Sequence, residues 1–93
     1  MTTFKTLHIL NKAPDHSRYK LCLSAIGPED ALLLTENGVL AVSQLSGIDS
    51  ERCFALAPDL EARGLSPKIS RDQTVSFEDM VVLTASAETV ISW

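Results

Sequence analysis

The chain has 93 residues, 45% of them hydrophobic, with four glycines, four prolines and two cysteines. That composition suits one small globular domain spanning 1–93 and excludes disordered or collagen-like classes. The formal net charge of −4 argues against nucleic acid as a direct partner, because binding phosphates requires a basic face that displaces counterions.

A domain this small buries a modest share of its surface, so completion of its core against a partner is expected. The longest purely apolar run, Ala31–Leu34, is far too short to cross a bilayer. The N-terminal Met1-Thr2-Thr3-Phe4-Lys5 lacks the basic region and long apolar segment of a signal peptide. A cytoplasmic chain without membrane contact follows, and in that compartment Cys22 and Cys53 are expected to be free thiols. His8 and His16 have no metal-type spacing to either cysteine, so no metal is expected. Charge is uneven: residues 1–20 carry Lys5, Lys12, Arg18 and Lys20 against Asp15, leaving them at +3 and the rest of the chain at −7. The basic end is either a solvated face or a source of positive potential near Cys22.

In chain order, Phe4–Leu10 mixes β-favouring residues and ends at Asn11-Lys12-Ala13-Pro14-Asp15, where proline tolerates neither helix nor central strand. A helix is predicted over Arg18–Ile26, capped by Asp15 or Ser17, with Tyr19, Leu23 and Ile26 on its apolar face and Gly27-Pro28 at its end. Ala31–Thr35 reads as a strand buried on both faces. Together these form a βαβ unit with parallel strands. Val39–Val42 is too short to assign, and Ser43–Ser50 is polar and loop-like where a covering helix is expected, which predicts an under-covered patch. Cys53–Ala57 is a third strand, and Pro58 opens a short helix over Asp59–Arg63 that Gly64 terminates. Thr74-Val75 begins a fourth strand. Ser76-Phe77-Glu78-Asp79 resembles a capping box ahead of a helix through Met80, Val81, Leu83 and Thr84, and Thr89–Trp93 is a fifth strand. The predicted fold is a three-layer α/β/α sandwich with a mostly parallel sheet of about five strands.

Cys22 is the candidate site residue. It falls at the edge of its helix's apolar face, where Arg18 one turn earlier can favour a thiolate, although a free cysteine is as readily a small buried hydrophobe. Cys53, opening an apolar strand, reads as core. His8 is either a hydrogen-bonded structural histidine or a polar group facing a pocket or subunit boundary. Asn11 and Lys12 follow the carboxyl end of the first strand, the edge where open α/β sheets place ligands. No glycine-rich phosphate loop lies there, so nucleotide and flavin cofactors are unsupported, as is a stand-alone nucleotide-binding module. Trp93 suggests docking, either within the chain or onto another one.

Four segments carry a resemblance: Leu7-His8-Ile9-Leu10-Asn11-Lys12-Ala13-Pro14, Asp30-Ala31-Leu32-Leu33-Leu34-Thr35-Glu36-Asn37-Gly38-Val39, Leu56-Ala57-Pro58-Asp59-Leu60-Glu61-Ala62-Arg63-Gly64-Leu65 and the tryptophan Trp93. In this order and length they resemble the TusB/DsrH family. The resemblance implies a small cytoplasmic α/β subunit that assembles with two homologous sister subunits, TusC/DsrF-like and TusD/DsrE-like, into a persulfide sulfur-relay complex that passes sulfur to a downstream acceptor protein. It implies a role in 2-thiolation of the tRNA wobble uridine or, in sulfur oxidisers, in sulfur-compound oxidation. The main carrier cysteine of such complexes belongs to a sister subunit. Cys22 matches the first-helix cysteine of the DsrH type and is on that ground a candidate persulfide carrier; a non-catalytic scaffold role is the alternative.

Overall fold

The computed structural model describes residues 4–44 and 52–93. Five strands, β1 (Phe4–Leu10), β2 (Ala31–Leu34), β3 (Cys53–Leu56), β4 (Thr74–Val75) and β5 (Ala87–Ser92), form one sheet in the order β4-β3-β2-β1-β5. Every pairing is parallel. Among the described residues three α-helices lie between strands: α1 (Ser17–Ala25), α2 (Ala57–Ala62) and α3 (Phe77–Ser86).

The layering follows from handedness. From β1 to β4 the chain steps in one direction across the sheet; from β4 to β5 it reverses and crosses to the far side of β1. Right-handed crossovers then require α1 and α2 on one face and α3 on the other. The packing agrees. Tyr19 and Cys22 of α1 and Leu60 of α2 share a cluster with Leu10, Leu32, Leu34 and Ala55, whereas Leu83 of α3 packs with Leu7, Leu33, Leu56 and Val75. The uninterrupted Ala31–Leu34 run is explained by this arrangement, since all four residues are buried and alternate between the two cores. Each fully buried leucine contributes about 1.5–3 kcal/mol relative to exposure. A T-shaped contact between Phe4 and Phe54, ring centroids 6.2 Å apart, adds to the α3-side core.

The helix ends show why these segments fold as they do. Pro58 stands in the first turn of α2, where a missing N–H is not missed. Gly64, at φ +65°, supplies the left-handed turn after it. At α3 the capping box forms as predicted: the Asp79 N–H donates to Ser76 Oγ at 3.1 Å, and the Ser76 N–H donates to Asp79 Oδ2 at 3.2 Å. At α1 the expected cap is replaced. His16, not Asp15 or Ser17, is the N-cap, its Nδ1 accepting from the Arg18 N–H at 3.1 Å.

Two further expectations shift. The Val39–Val42 segment is part of a 3₁₀ helix over Glu36–Gln44, which lays Val39, Ala41 and Val42 onto the α1-side core. It replaces the expected covering α-helix in the described part of that connection; the predicted under-covered patch at Ser43–Ser50 falls largely on residues 45–51, outside the described residues. The fifth strand begins at Ala87 rather than Thr89.

The start of the 3₁₀ helix is forced against β1. A Cβ on Gly38 would lie 2.0 Å from the Leu10 carbonyl oxygen, a backbone atom that cannot swing away. Gly38→Ala is therefore expected to lower the unfolding free energy by about 1–3 kcal/mol, as overpacking does. Gly27→Ala, whose nearest neighbour is the Asp30 side chain at 3.4 Å, serves as the near-neutral control. Urea unfolding midpoints of the two variants check this.

Candidate functional site

Two groups of chemically capable side chains lie on the α1 side of the sheet. The first centres on His8, buried in β1. Trp93 follows β5, and its main-chain N–H donates to the Ile9 carbonyl at 2.9 Å, continuing the ladder by one residue. Its indole N–H then donates to His8 Nδ1 at 3.1 Å, with the two rings stacked at a centroid distance of 6.0 Å. With Nδ1 accepting, the ring proton resides on Nε2, which donates to Asp30 Oδ2 at 2.9 Å. Of the two readings of His8, the hydrogen-bonded structural one describes its position, and Trp93 docks within its own chain.

Asp30 anchors the far end. Partial burial works against its ionisation, but the Gly27 N–H at 2.8 Å and the His8 ring outweigh it and hold the carboxyl below its usual range. At the other end, Lys12 Nζ donates to the Trp93 main-chain oxygen at 3.0 Å and to Asn11 Oδ1. Asn11 and Lys12, placed by sequence at a ligand-binding strand edge, thus serve to hold the end of β5. Asp30 and Trp93 were not foreseen as partners of His8. They come from segments 22 and 85 residues away, and only the sheet order brings them together.

The second group is the thiol cluster. Cys22 is 0% exposed rather than at the edge of the apolar face. Helix α1 turns its Tyr19–Cys22 side to the sheet and leaves Leu23 and Ile26 half-buried. Cys53, from β3, is buried in the same cluster. Burial pushes both thiols from 9.0 up to about 12. Tyr19 is also raised, first by burial and then by the neighbouring Cys53 and Cys22. Arg18 is exposed on α1, whereas Cys22 is buried, and burial is what raises its thiol. His16 is engaged at the helix cap. Among the described residues, no three His, Cys, Asp or Glu side chains converge as a metal site, and no helix is long and apolar enough to cross a membrane.

A third set of contacts ties together the segments that carry the family resemblance. Glu36, at φ +48°, is held in a strained left-handed turn by its N–H donating to Asp59 Oδ2 at 2.7 Å. Arg63 donates to Asn37 Oδ1 at 3.0 Å and to the Asp59 carbonyl at 3.2 Å. The Thr35 N–H donates to the Leu10 carbonyl at 3.0 Å. Together with the Lys12–Trp93 contact, all four segments meet at the carboxyl edge of the sheet.

Comparison with known proteins decides the family. A family model described as DsrH like protein matches residues 12–90. The chain belongs to the DsrH family. Among the DsrH family's named members, Protein TusB of Enterobacter sp. (strain 638) is 33% identical over 94 residues, covering 94% of this chain and 99% of the relative. Protein TusB of Pectobacterium parmentieri is 30% identical over 96 residues with the same coverage. The solution NMR structure of Tm0979 from Thermotoga maritima shares the DsrH-family fold seen here, with a TM-score of 0.67 and 24% identity over 86% of this chain and 91% of that one.

Trp93→Phe replaces the indole with a smaller aromatic ring that lacks the donor, leaving His8 Nδ1 buried without its partner. A loss of about 1–3 kcal/mol is expected, read from denaturant unfolding. The thiols predict an alkaline limit. Their folded values lie above the unfolded ones, so the stabilisation is whole below pH 9 and is lost as pH rises toward 12. Native protein at neutral pH should therefore resist thiol-labelling reagents at both cysteines, and urea midpoints should fall above pH 9. Fast labelling of Cys22 in the folded chain would contradict its burial.

Proposed function

We propose that this chain is a cytoplasmic subunit of a hetero-oligomeric sulfur-relay complex that handles persulfide sulfur for 2-thiolation of the tRNA wobble uridine. Its partners are two homologous sister subunits, TusC/DsrF-like and TusD/DsrE-like, and a downstream sulfur-acceptor protein; it makes no direct contact with nucleic acid or membrane. The observation that carries this reading is the end-to-end match to proteins named TusB, which spans 94% of this chain and 99% of the relatives. The TusB name favours the tRNA pathway over the sulfur-oxidation role of DsrH-type subunits.

Within that complex we assign this chain a scaffold role. A persulfide carrier must present a thiolate that attacks the outer sulfur of a donor persulfide, forming a new S–S bond while the donor leaves as its own thiolate. Cys22 is fully buried and its thiol is pushed up to about 12, so it is poorly suited to attack at neutral pH. A sister subunit then supplies the carrier cysteine. The alternative, with Cys22 as the carrier, rests on its place in the first helix and requires α1 to open in the assembly.

The test is the intact mass, under non-reducing conditions, of each polypeptide that co-purifies with the tagged chain. Added sulfur on a sister subunit and none on this chain is the expected result. One extra sulfur atom mapping to Cys22 would establish the carrier alternative, and absence of both sister subunits would overturn the relay reading. In the scaffold role, Cys22→Ala leaves relay flux at the wild-type level and lowers stability by about 1–2 kcal/mol through the cavity it creates.

A further inference from the structure

The hydrogen bonds around His8 fit its neutral form and no other. Nδ1 accepts the Trp93 indole N–H at 3.1 Å, and Nε2–H donates to Asp30 Oδ2 at 2.9 Å. An imidazolium carries a proton on both nitrogens and accepts nothing, while an indole nitrogen only donates. A second proton on His8 would therefore set two donors against each other at the Trp93 end. At the Asp30 end it changes nothing, because Nε2–H is already in place. Asp30 remains the acceptor as pH falls: burial works against its charge, but the Gly27 and Thr6 backbone bonds and the His8 ring keep its carboxyl below the usual range.

The other charged and titratable groups around this pair leave the opposition intact. Lys12, in the loop after β1, is engaged by the Trp93 main-chain oxygen and Asn11 Oδ1. Lys5 and Glu29 line a pocket with Thr6 and Asp30, flanking the Nε2 end of the ring with one charge of each sign. Helix α1 contributes buried Tyr19 and Cys22, both kept neutral by burial, and exposed Arg18 and Lys20. The neighbouring strands set Leu32 and Ile91 beside His8, and Glu88 of β5 falls beside Lys5 in the same register.

We infer that His8 and Trp93 form a proton-operated latch: the indole docks on the neutral imidazole, and a second proton on His8 Nδ1 holds Trp93 away. His8 is 2% exposed, so the indole leaves first, Nδ1 then takes a proton from water, and the donor so formed bars the indole's return. The movement is a swing of one side chain. The Trp93 main-chain N–H still donates to the Ile9 carbonyl and Lys12 still holds the Trp93 oxygen, so β5 keeps its register. What opens is the flank of the α1-side core against which Trp93 packs. The docked state excludes the proton and the undocked state accepts it. By linkage, docking weakens as pH falls, about tenfold for each pH unit once the freed imidazole is charging.

The latch stands on contacts within this chain and is independent of the relay reading. One tryptophan and two histidines make its signals unambiguous. In the experiment, isotope-labelled chain is titrated from about pH 8 to about pH 5, the range that brackets imidazole protonation. Nuclear magnetic resonance follows the Trp93 indole N–H, the His8 ring nitrogens and the backbone amides.

The expected result is that exchange protection of the indole N–H, corrected for its intrinsic rate, falls about tenfold per pH unit with the midpoint at which His8 Nδ1 gains its proton. Amides of residues 31–34 and of Trp93 keep their protection. His8→Gln, which does not titrate, should abolish the pH dependence, and His16→Asn, which removes the other histidine but keeps a capping side chain, should preserve it. Trp93→Phe removes the opposing donor, so its His8 should charge at a higher pH than in the wild type. A second proton on His8 with the indole bond intact overturns the latch, as does a pH dependence that survives in His8→Gln. Loss of protection across 31–34 at the same pH overturns it in favour of acid unfolding of the sheet. If His8→Gln does not fold, the wild-type titration and Trp93→Phe still decide.

Discussion

A buried imidazole must have both nitrogens satisfied, and the way His8 meets that demand organises the centre of this fold. Its Nε2–H is taken by Asp30, just before β2, and its Nδ1 by the Trp93 indole, just after β5. The histidine thus bridges the two strands that flank β1. Any register of β5 that displaced Trp93 would strand a polar nitrogen in a core of leucines, at a cost well above that of an ordinary hydrogen bond. The position of β5 beside β1 is also what reverses the sheet's direction and sends α3 to the opposite face. One polar chain therefore supports the strand order and, through it, the layering.

The segments by which the chain is recognised are structural joints. Asp59 and Arg63 hold the strained turn at Glu36-Asn37, Gly38 sits where β1 allows no side chain, and Lys12 fastens Trp93. Of these contacts only Arg63–Asn37 joins two side chains; each of the others sets one residue type against a backbone atom of a distant segment.

Cys22 illustrates the difference between a residue's chemistry and its environment. In the sequence it is a thiol on an amphipathic helix with a basic neighbour. In the fold it faces Tyr19 and the sheet, and burial keeps the proton on. Reactivity needs an accessible thiolate, and a buried thiol packs instead as a small apolar side chain. Exposed apolar side chains lie on several elements: Leu21 on α1, Leu40 on the 3₁₀ helix, Phe77, Val81 and Val82 on α3, and Val90 and Ile91 on β5.

Local chemistry determined a large part of this protein. The continuous apolar run at Ala31–Leu34, proline at the start of α2, Gly64 at its end and the Ser76–Asp79 box are readable because each depends on neighbours within a few residues. From these the strands and the α/β class follow, while the family rests on the resemblance of four segments and on the family match over residues 12–90. What residues do across the fold was not readable. His16 rather than Asp15 or Ser17 caps α1, the helix rotates to bury Cys22, and His8 finds Asp30 and Trp93. Those outcomes depend on helix rotation and strand order, which are set by packing among distant segments. Periodicity along a single segment holds no information about which of its faces the rest of the chain will meet.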